Sequence, residues 1–330
     1  MDIKNRLFSL LKSEKFILIV ANILIIIVFS SLNENYFSVK NFINILTAAA
    51  LIGIVAVGHT YLIIAGQNDL SPGSLAALSG VVVALLLSYN VPISISIILT
   101  ILVAVLVGLF NAFMVNKIKL QPFIATLVTQ SVVRGFAFII CEGKPIQITN
   151  RLFIDMFNFR ILNMPISVWA MVFTFIIFGF ILARTKFGRK VYAIGGSTEA
   201  ARLAGIKPDK TITSCFVLIA VLTAIGGILF VARMNSGQPA ANVNLEFDSI
   251  TAVILGGTSF LGGVGSMGGT VLGVFLIQAF NTGLTMIYVP TFWHYVARGG
   301  LLLFALTFDY IRKEQRKKEL LEAIINNQKL

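Results

Sequence analysis

The chain has 330 residues, of which 57% are hydrophobic and 12% charged, with a mean hydropathy of +0.90; soluble domains carry roughly 25% charged residues. This composition excludes a water-soluble globular enzyme and points to an all-α polytopic membrane protein. The 26 Lys and Arg exceed the 14 Asp and Glu, for a net charge of +12, and in a membrane protein that surplus reports orientation rather than nucleic-acid binding.

A helix that crosses about 30 Å of hydrocarbon needs about 20 mostly apolar residues. Ten segments approach that pattern in chain order: 16–32, 45–65, 74–88, 93–115, 123–141, 166–183, 213–232, 249–261, 268–288 and 293–310. The first follows Lys4, Arg6, Lys12 and Lys15 as a signal peptide would, but it ends in LNENYF with no small-x-small cleavage site and reads as a retained anchor. The third and eighth are short and adjoin the glycine-bearing stretches 66–73 and 256–269. Broken helices at membrane depth are tolerated only inside protein or along a cavity.

Cytoplasmic loops carry the Lys and Arg excess. With the N-terminus inside, 19 of the 26 cations fall on the inner side, while Lys40, Lys144, Arg151, Arg160 and Arg233 fall outside and Arg134 and Arg298 lie within spans. The chain therefore reads as one membrane domain over 1–330, with a cytoplasmic N-terminus at 1–15, an inner loop at 184–212 and a basic cytoplasmic tail at 311–330. Cys141 and Cys215 fall near opposite membrane faces, too far apart to pair, and read as buried apolar thiols.

Within the fifth segment Thr126, Gln130 and Arg134 recur at i, i+4 and i+8, so they share one helical face. An arginine at this depth needs a cavity or a partner. The stripe either lines a solute path or holds helices together. The stretch GQNDLSPG puts Asn68 and Asp69 before Ser71 and Pro72, a pattern for an N-cap with proline at the first helical position. Those two polar residues are either a helix-start signal or part of the path. His59 and His294 lack a second ligand at metal spacing and read as ordinary hydrogen-bonded histidines.

In the inner loop, a capping pattern around Ser197 and Glu199, with Gly205 just past its end, predicts a short helix over 197–204. Gly263, Gly265 and Gly268 spell GxGxxG, but no acidic residue follows at the spacing a dinucleotide site requires, and another apolar segment comes next. Together with Gly256 and Gly257 they read as structural glycines for close packing and a tight reversal. No GxxxxGK[ST] occurs, so ATP-driven work would need a separate ATPase.

Taken together, the segments resemble the permease subunits of bacterial ABC importers for ribose, xylose, arabinose and galactosides. GQNDLSPGSLAALSG is similar to that family's GGIDLSVGSVLALSG, and AIGGSTEAARLAGI to its coupling-loop pattern AxGGNxxAARLSGI. FIATLVTQSVVRGFAFIICEGKPI is similar to the fifth-span signature, and ITAVILGGTSFLGGVGSMGGTVLG to the C-terminal block IAAVVIGGTSLSGGxGSxxGTxxG. Gln67, Asn68 and Pro72 stand where the family usually has Gly, Ile and Val, and Val128 where Gly is common.

The resemblance implies a type II, cobalamin-importer-like permease fold of about ten transmembrane helices, some short or broken, in the bacterial inner membrane. It implies a second permease subunit, identical or not, a cytoplasmic ABC ATPase that binds ATP and magnesium, and an extracytoplasmic sugar-binding protein. The chain itself would hold no cofactor or metal and have no enzymatic site; its other partner would be membrane lipid, and nucleic acid would not be one. The coupling role carries over onto Glu199, Ala200, Ala201, Arg202, Leu203, Ala204 and Gly205, where the three alanines would let a helix seat closely in an ATPase groove. A sugar such as ribose is the expected solute. Related permeases for autoinducer-2 or nucleosides, and an ATP-independent secondary transporter, are the alternatives.

Overall fold

The computed structural model describes residues 14–327; Lys4, Arg6 and Lys12 lie outside them. Thirteen helices carry the described chain: α1 (Glu14–Leu32), α2 (Val39–Ile64), α3 (Pro72–Ser88), α4 (Ile93–Asn116), α5 (Pro122–Ile140), α6 (Arg151–Asn158), α7 (Ile166–Arg184), α8 (Lys186–Gly196), α9 (Thr198–Leu203), α10 (Pro208–Met234), α11 (Leu245–Leu255), α12 (Met267–Met286) and α13 (Thr291–Asn327). Among the described residues, strand structure is limited to four two-residue pieces. β1 (Ile146–Gln147) pairs antiparallel with β4 (Ser236–Gly237), and β2 (Arg160–Ile161) with β3 (Met164–Pro165).

Each of the ten apolar segments read from the sequence overlaps one helix. Six helices, α2, α4, α5, α7, α10 and α12, are long and apolar enough to cross a membrane, while Phe16–Leu32 and Pro72–Ser88 are shorter apolar helices. Helices α2 and α10 bury most of their length and form the centre of the bundle, whereas α4, α5 and α7 bury less than a third of theirs. Outward-facing Leu102, Leu106, Phe110, Val128, Phe136 and Ile176 make those peripheral surfaces apolar, as a helix facing lipid requires.

The two short segments are enclosed by protein. Helix α3 buries most of its residues against α4, α5 and α10, and α11 lies against α2, α12 and α13. The expected span 249–261 is shifted: the helix runs Leu245–Leu255 and admits Glu246 and Asp248 in its first turn. Acidic side chains suit the positive end of a helix, and burial by neighbouring helices, not by lipid, is what α11 undergoes. The inner loop 184–212 also differs from expectation, because α8 precedes the anticipated short helix and α10 already begins at Pro208. The tail beyond 311 continues α13 as helix to Asn327. Cys141 and Cys215 are free and buried.

Candidate functional site

The chain between α2 and α3 reverses through Gly66, whose φ is +74°, and then through a buried polar knot. Asp69 organises it: one carboxylate oxygen accepts the Ser71 amide at 2.7 Å and the Ser71 hydroxyl at 2.6 Å. Pro72 occupies the first helical position as expected, but the Ser71 side chain bonds Asp69 and does not cap α3. Asn111 of α4 donates to Ser71 at 3.1 Å and to the second Asp69 oxygen at 3.4 Å. His59, fully buried, shares a 2.8 Å bond with the Asp69 carbonyl and, through its other ring nitrogen, a 2.8 Å bond with Ser249 of α11. One imidazole thus ties the break after α2 to the half-helix α11. The Asn68 side-chain oxygen is buried without a hydrogen-bond partner.

The three polar residues of α5 do share a face, and that face meets protein. Thr126 accepts the Leu70 amide at 3.0 Å, and Gln130 donates to Glu246 at 2.8 Å. Arg134 donates two 2.7 Å bonds to the carbonyls of Pro239 and Ala241. These contacts brace the 66–71 break, α11 and the loop that leads into it. On the opposite face Leu127, Val128, Val132 and Phe136 are exposed.

At the same end of α2, three backbones meet. The Gly263 amide donates to the Ile64 carbonyl at 2.8 Å, and a Cβ on Gly195 would lie 2.5 Å from that same amide nitrogen. Gly262 and Gly263 have φ of +93° and +75°, so the loop after α11 adopts a backbone that side chains with a Cβ resist. Gly256 approaches the Gly269 backbone, where an added Cβ would sit 2.6 Å away, and Gly257 also has a left-handed φ. Gly265 packs against Thr258 and Ile64. Gly268 departs from expectation: it is exposed, and the close approach belongs to Gly269. Tyr192 of α8 fastens this junction by donating to the Gly265 carbonyl at 2.8 Å. Burial pushes its phenol up from its ordinary pKa.

Helix α9 projects from this junction. Ser197 caps it by accepting the Ala200 amide at 3.2 Å, and Gly205, with φ +79°, ends it as the Ile206 amide reaches back to the Ala201 carbonyl at 3.0 Å. Glu199 and Arg202 form an exposed 3.8 Å ion pair, which contributes little to stability. Leu203 is 83% exposed, and Ala200, Ala204 and Gly205 are exposed beside it. Ala201 is the exception, since it is buried against its own chain and does not belong to the outer face.

Sequence reasoning missed the buried acids. Glu246 and Asp248 lie outside the segment counted as apolar, yet both are buried, and Asp248 pairs with Arg298 of α13 at 3.4 Å. Their position ahead of an apolar run, in a first helical turn, was the available signal. Asp309 accepts the Phe260 amide at 3.1 Å.

A sequence profile described as the permease component of branched-chain amino acid transport systems matches residues 41–306. The chain belongs to this permease family. Curated relatives include the ribose import permease protein RbsC of Haemophilus influenzae, 35% identical over 88% of this chain and 91% of the relative. The L-arabinose ABC transporter permease protein AraH of Azospirillum brasilense is 35% identical over 86% and 84%, and RbsC of Bacillus subtilis is 36% identical over 87% and 89%. No solved structure matches the chain.

Proposed function

We propose that this permease is the membrane subunit of an ATP-driven importer for a sugar of the ribose and arabinose class. What carries the reading is that relatives named for ribose and arabinose align along nearly the whole chain. Those relatives favour a sugar over the amino acids in the family's description and over the autoinducer-2 and nucleoside alternatives.

In this reading the chain is a single domain of about ten crossings in the cobalamin-importer-like arrangement, with both termini on the cytoplasmic side of the inner membrane. Two such subunits stand side by side, one cytoplasmic ATPase pair binds ATP and magnesium, and a binding protein delivers sugar from outside. This chain contributes no ATPase site. Helix α9 receives the ATPase through Glu199, Ala200, Arg202, Leu203, Ala204 and Gly205, while Ala201 holds the helix to its base. Motion of α9 reaches α8 directly, and from α8 it passes through Tyr192, Gly195 and Gly263 to the end of α2 and the loop after α11. Thr126, Gln130, Arg134 and Asp69 brace the broken helices that such motion would shift, and Asn68 adjoins Asp69 in the break. ATP binding biases the equilibrium because it favours one arrangement of the ATPase pair over the other.

The test is co-purification from membranes. Glu199→Lys and Gly205→Arg are expected to insert normally yet lose both the ATPase and sugar uptake. Retention of the ATPase by both variants would reject the α9 assignment, and sugar transport into liposomes without ATP would reject the importer.

A further inference from the structure

The end of the bundle opposite α9 contains a pocket of about 230 Å³. The first half of α2, the last turns of α10, the loop before α11 and α13 surround it, and Asp248, Arg298, Asn242 and Phe230 are among its lining residues. A volume below the roughly 300–1,000 Å³ of drug-sized sites suits a smaller solute.

Its polar groups are under-used. Asp248 has a side chain only 8% exposed, and a 3.4 Å approach to the Arg298 guanidinium is its one polar contact among the described residues. The Arg298 nitrogen on that approach is itself buried without a hydrogen bond. A carboxylate can accept about four hydrogen bonds and a guanidinium can donate five. Buried charged groups normally use that capacity, and removal of such bonds is costly. Here a pair of opposite charges faces a cavity with most of its donors and acceptors free. Within this buried pair the opposite charges cancel, while Arg233, which also lines the pocket, is exposed to solvent; the geometry of the pair suits hydroxyl groups, each of which can donate to Asp248 and accept from Arg298. Leu51 and Phe230 supply an apolar wall for the C–H face of a ring.

We infer that this pocket binds one small, neutral polyhydroxylated solute, with Asp248 and Arg298 as the hydroxyl-reading pair. The inference rests on the sugar importer reading and gives that path a binding position separate from the α5 stripe.

The test uses the full chain in cells that also produce its ATPase and binding protein. Val243, 53% exposed at the pocket's edge, is changed to Cys in a Cys141→Ala, Cys215→Ala background and reacted with a membrane-impermeant thiol reagent. Millimolar D-ribose or L-arabinose is expected to slow labelling severalfold, and sodium sulfate to leave it unchanged. Asp248→Asn and Arg298→Gln are each expected to abolish protection and lower uptake about tenfold or more, the scale of a lost charge-assisted hydrogen bond. The double variant leaves no unpaired charge, so its co-purification with the ATPase separates lost binding from misfolding. Labelling indifferent to sugar in cells that import it would overturn the pocket while leaving the importer standing. Protection by sulfate alone would overturn the solute class. Failure of ATPase co-purification and of all sugar uptake in the parent would overturn the importer reading and this inference with it.

Discussion

At Gly195 there is no room for a side chain: a Cβ would press on the Ile64 carbonyl and sit 2.5 Å from the Gly263 nitrogen. Both neighbours are backbone, so neither can rotate away. Gly195→Ala is expected to destabilise the detergent-solubilised protein by about 1–3 kcal/mol, the range for overpacking. Gly196→Ala, whose added methyl meets nothing within 4 Å, serves as the control in the same thermal unfolding measurement, and equal midpoints for the two variants would discount the crowding. Arg134 presents a second case at this scale. Its two carbonyl partners, Pro239 and Ala241, would be left without a donor in Arg134→Ala, at about 1–3 kcal/mol for each group so stranded. Stability and uptake are therefore expected to fall together; loss of uptake at an unchanged unfolding midpoint would make Arg134 a solute contact instead. The shared face of Thr126, Gln130 and Arg134 could be read from i, i+4 spacing alone. Their partners could not, because Leu70, Glu246 and Ala241 come from segments that sequence periodicity does not bring together.

Among the elements, the short helices α3 and α11 were legible as apolar runs interrupted by glycine, but the start of α11 was not. A hydropathy count stops at Glu246 and Asp248 because it assumes lipid around the helix, whereas α11 is enclosed by α2, α12 and α13. That omission hid the Asp248–Arg298 pair. Buried charges alone would favour an ion-driven carrier, and it is the family that favours ATP. Helix α8 escaped notice for a different reason: KFGRKVYAIGG combines five glycine or aromatic positions with three cations and shows no long apolar stripe. Yet α8 links α9 to the bundle. Removing the Tyr192 hydroxyl deletes one bond of 2.8 Å to Gly265, worth about 0.5–1.5 kcal/mol. Tyr192→Phe is expected to co-purify with the ATPase at the parental yield while uptake per ATP hydrolysed falls about two- to tenfold, the same free-energy range expressed as a ratio. Parental coupling in that variant would show that motion reaches α2 by another route.

For the whole molecule, charge distribution sets which end would meet the proposed ATPase. Residues 184–210 carry seven Lys and Arg, and the stretch after the last apolar segment carries six; each cation near an anionic cytoplasmic surface is worth about 1 kcal/mol. Both clusters reside on the same side only if an even number of crossings separates them; α10, α12 and α13 alone would make three, and α11 as a further crossing makes four. The proposed ten crossings include all four. The arrangement can be tested with two exposed positions, Leu203 of α9 and Leu152 of α6, which are 83% and 75% exposed. In a background without native cysteines, Leu152→Cys is expected to react with an impermeant reagent in intact cells, and Leu203→Cys only in inverted vesicles. Reaction of Leu203→Cys in intact cells would place α9 outside, where no ATP-binding partner could reach it, and the coupling assignment would fall with the orientation.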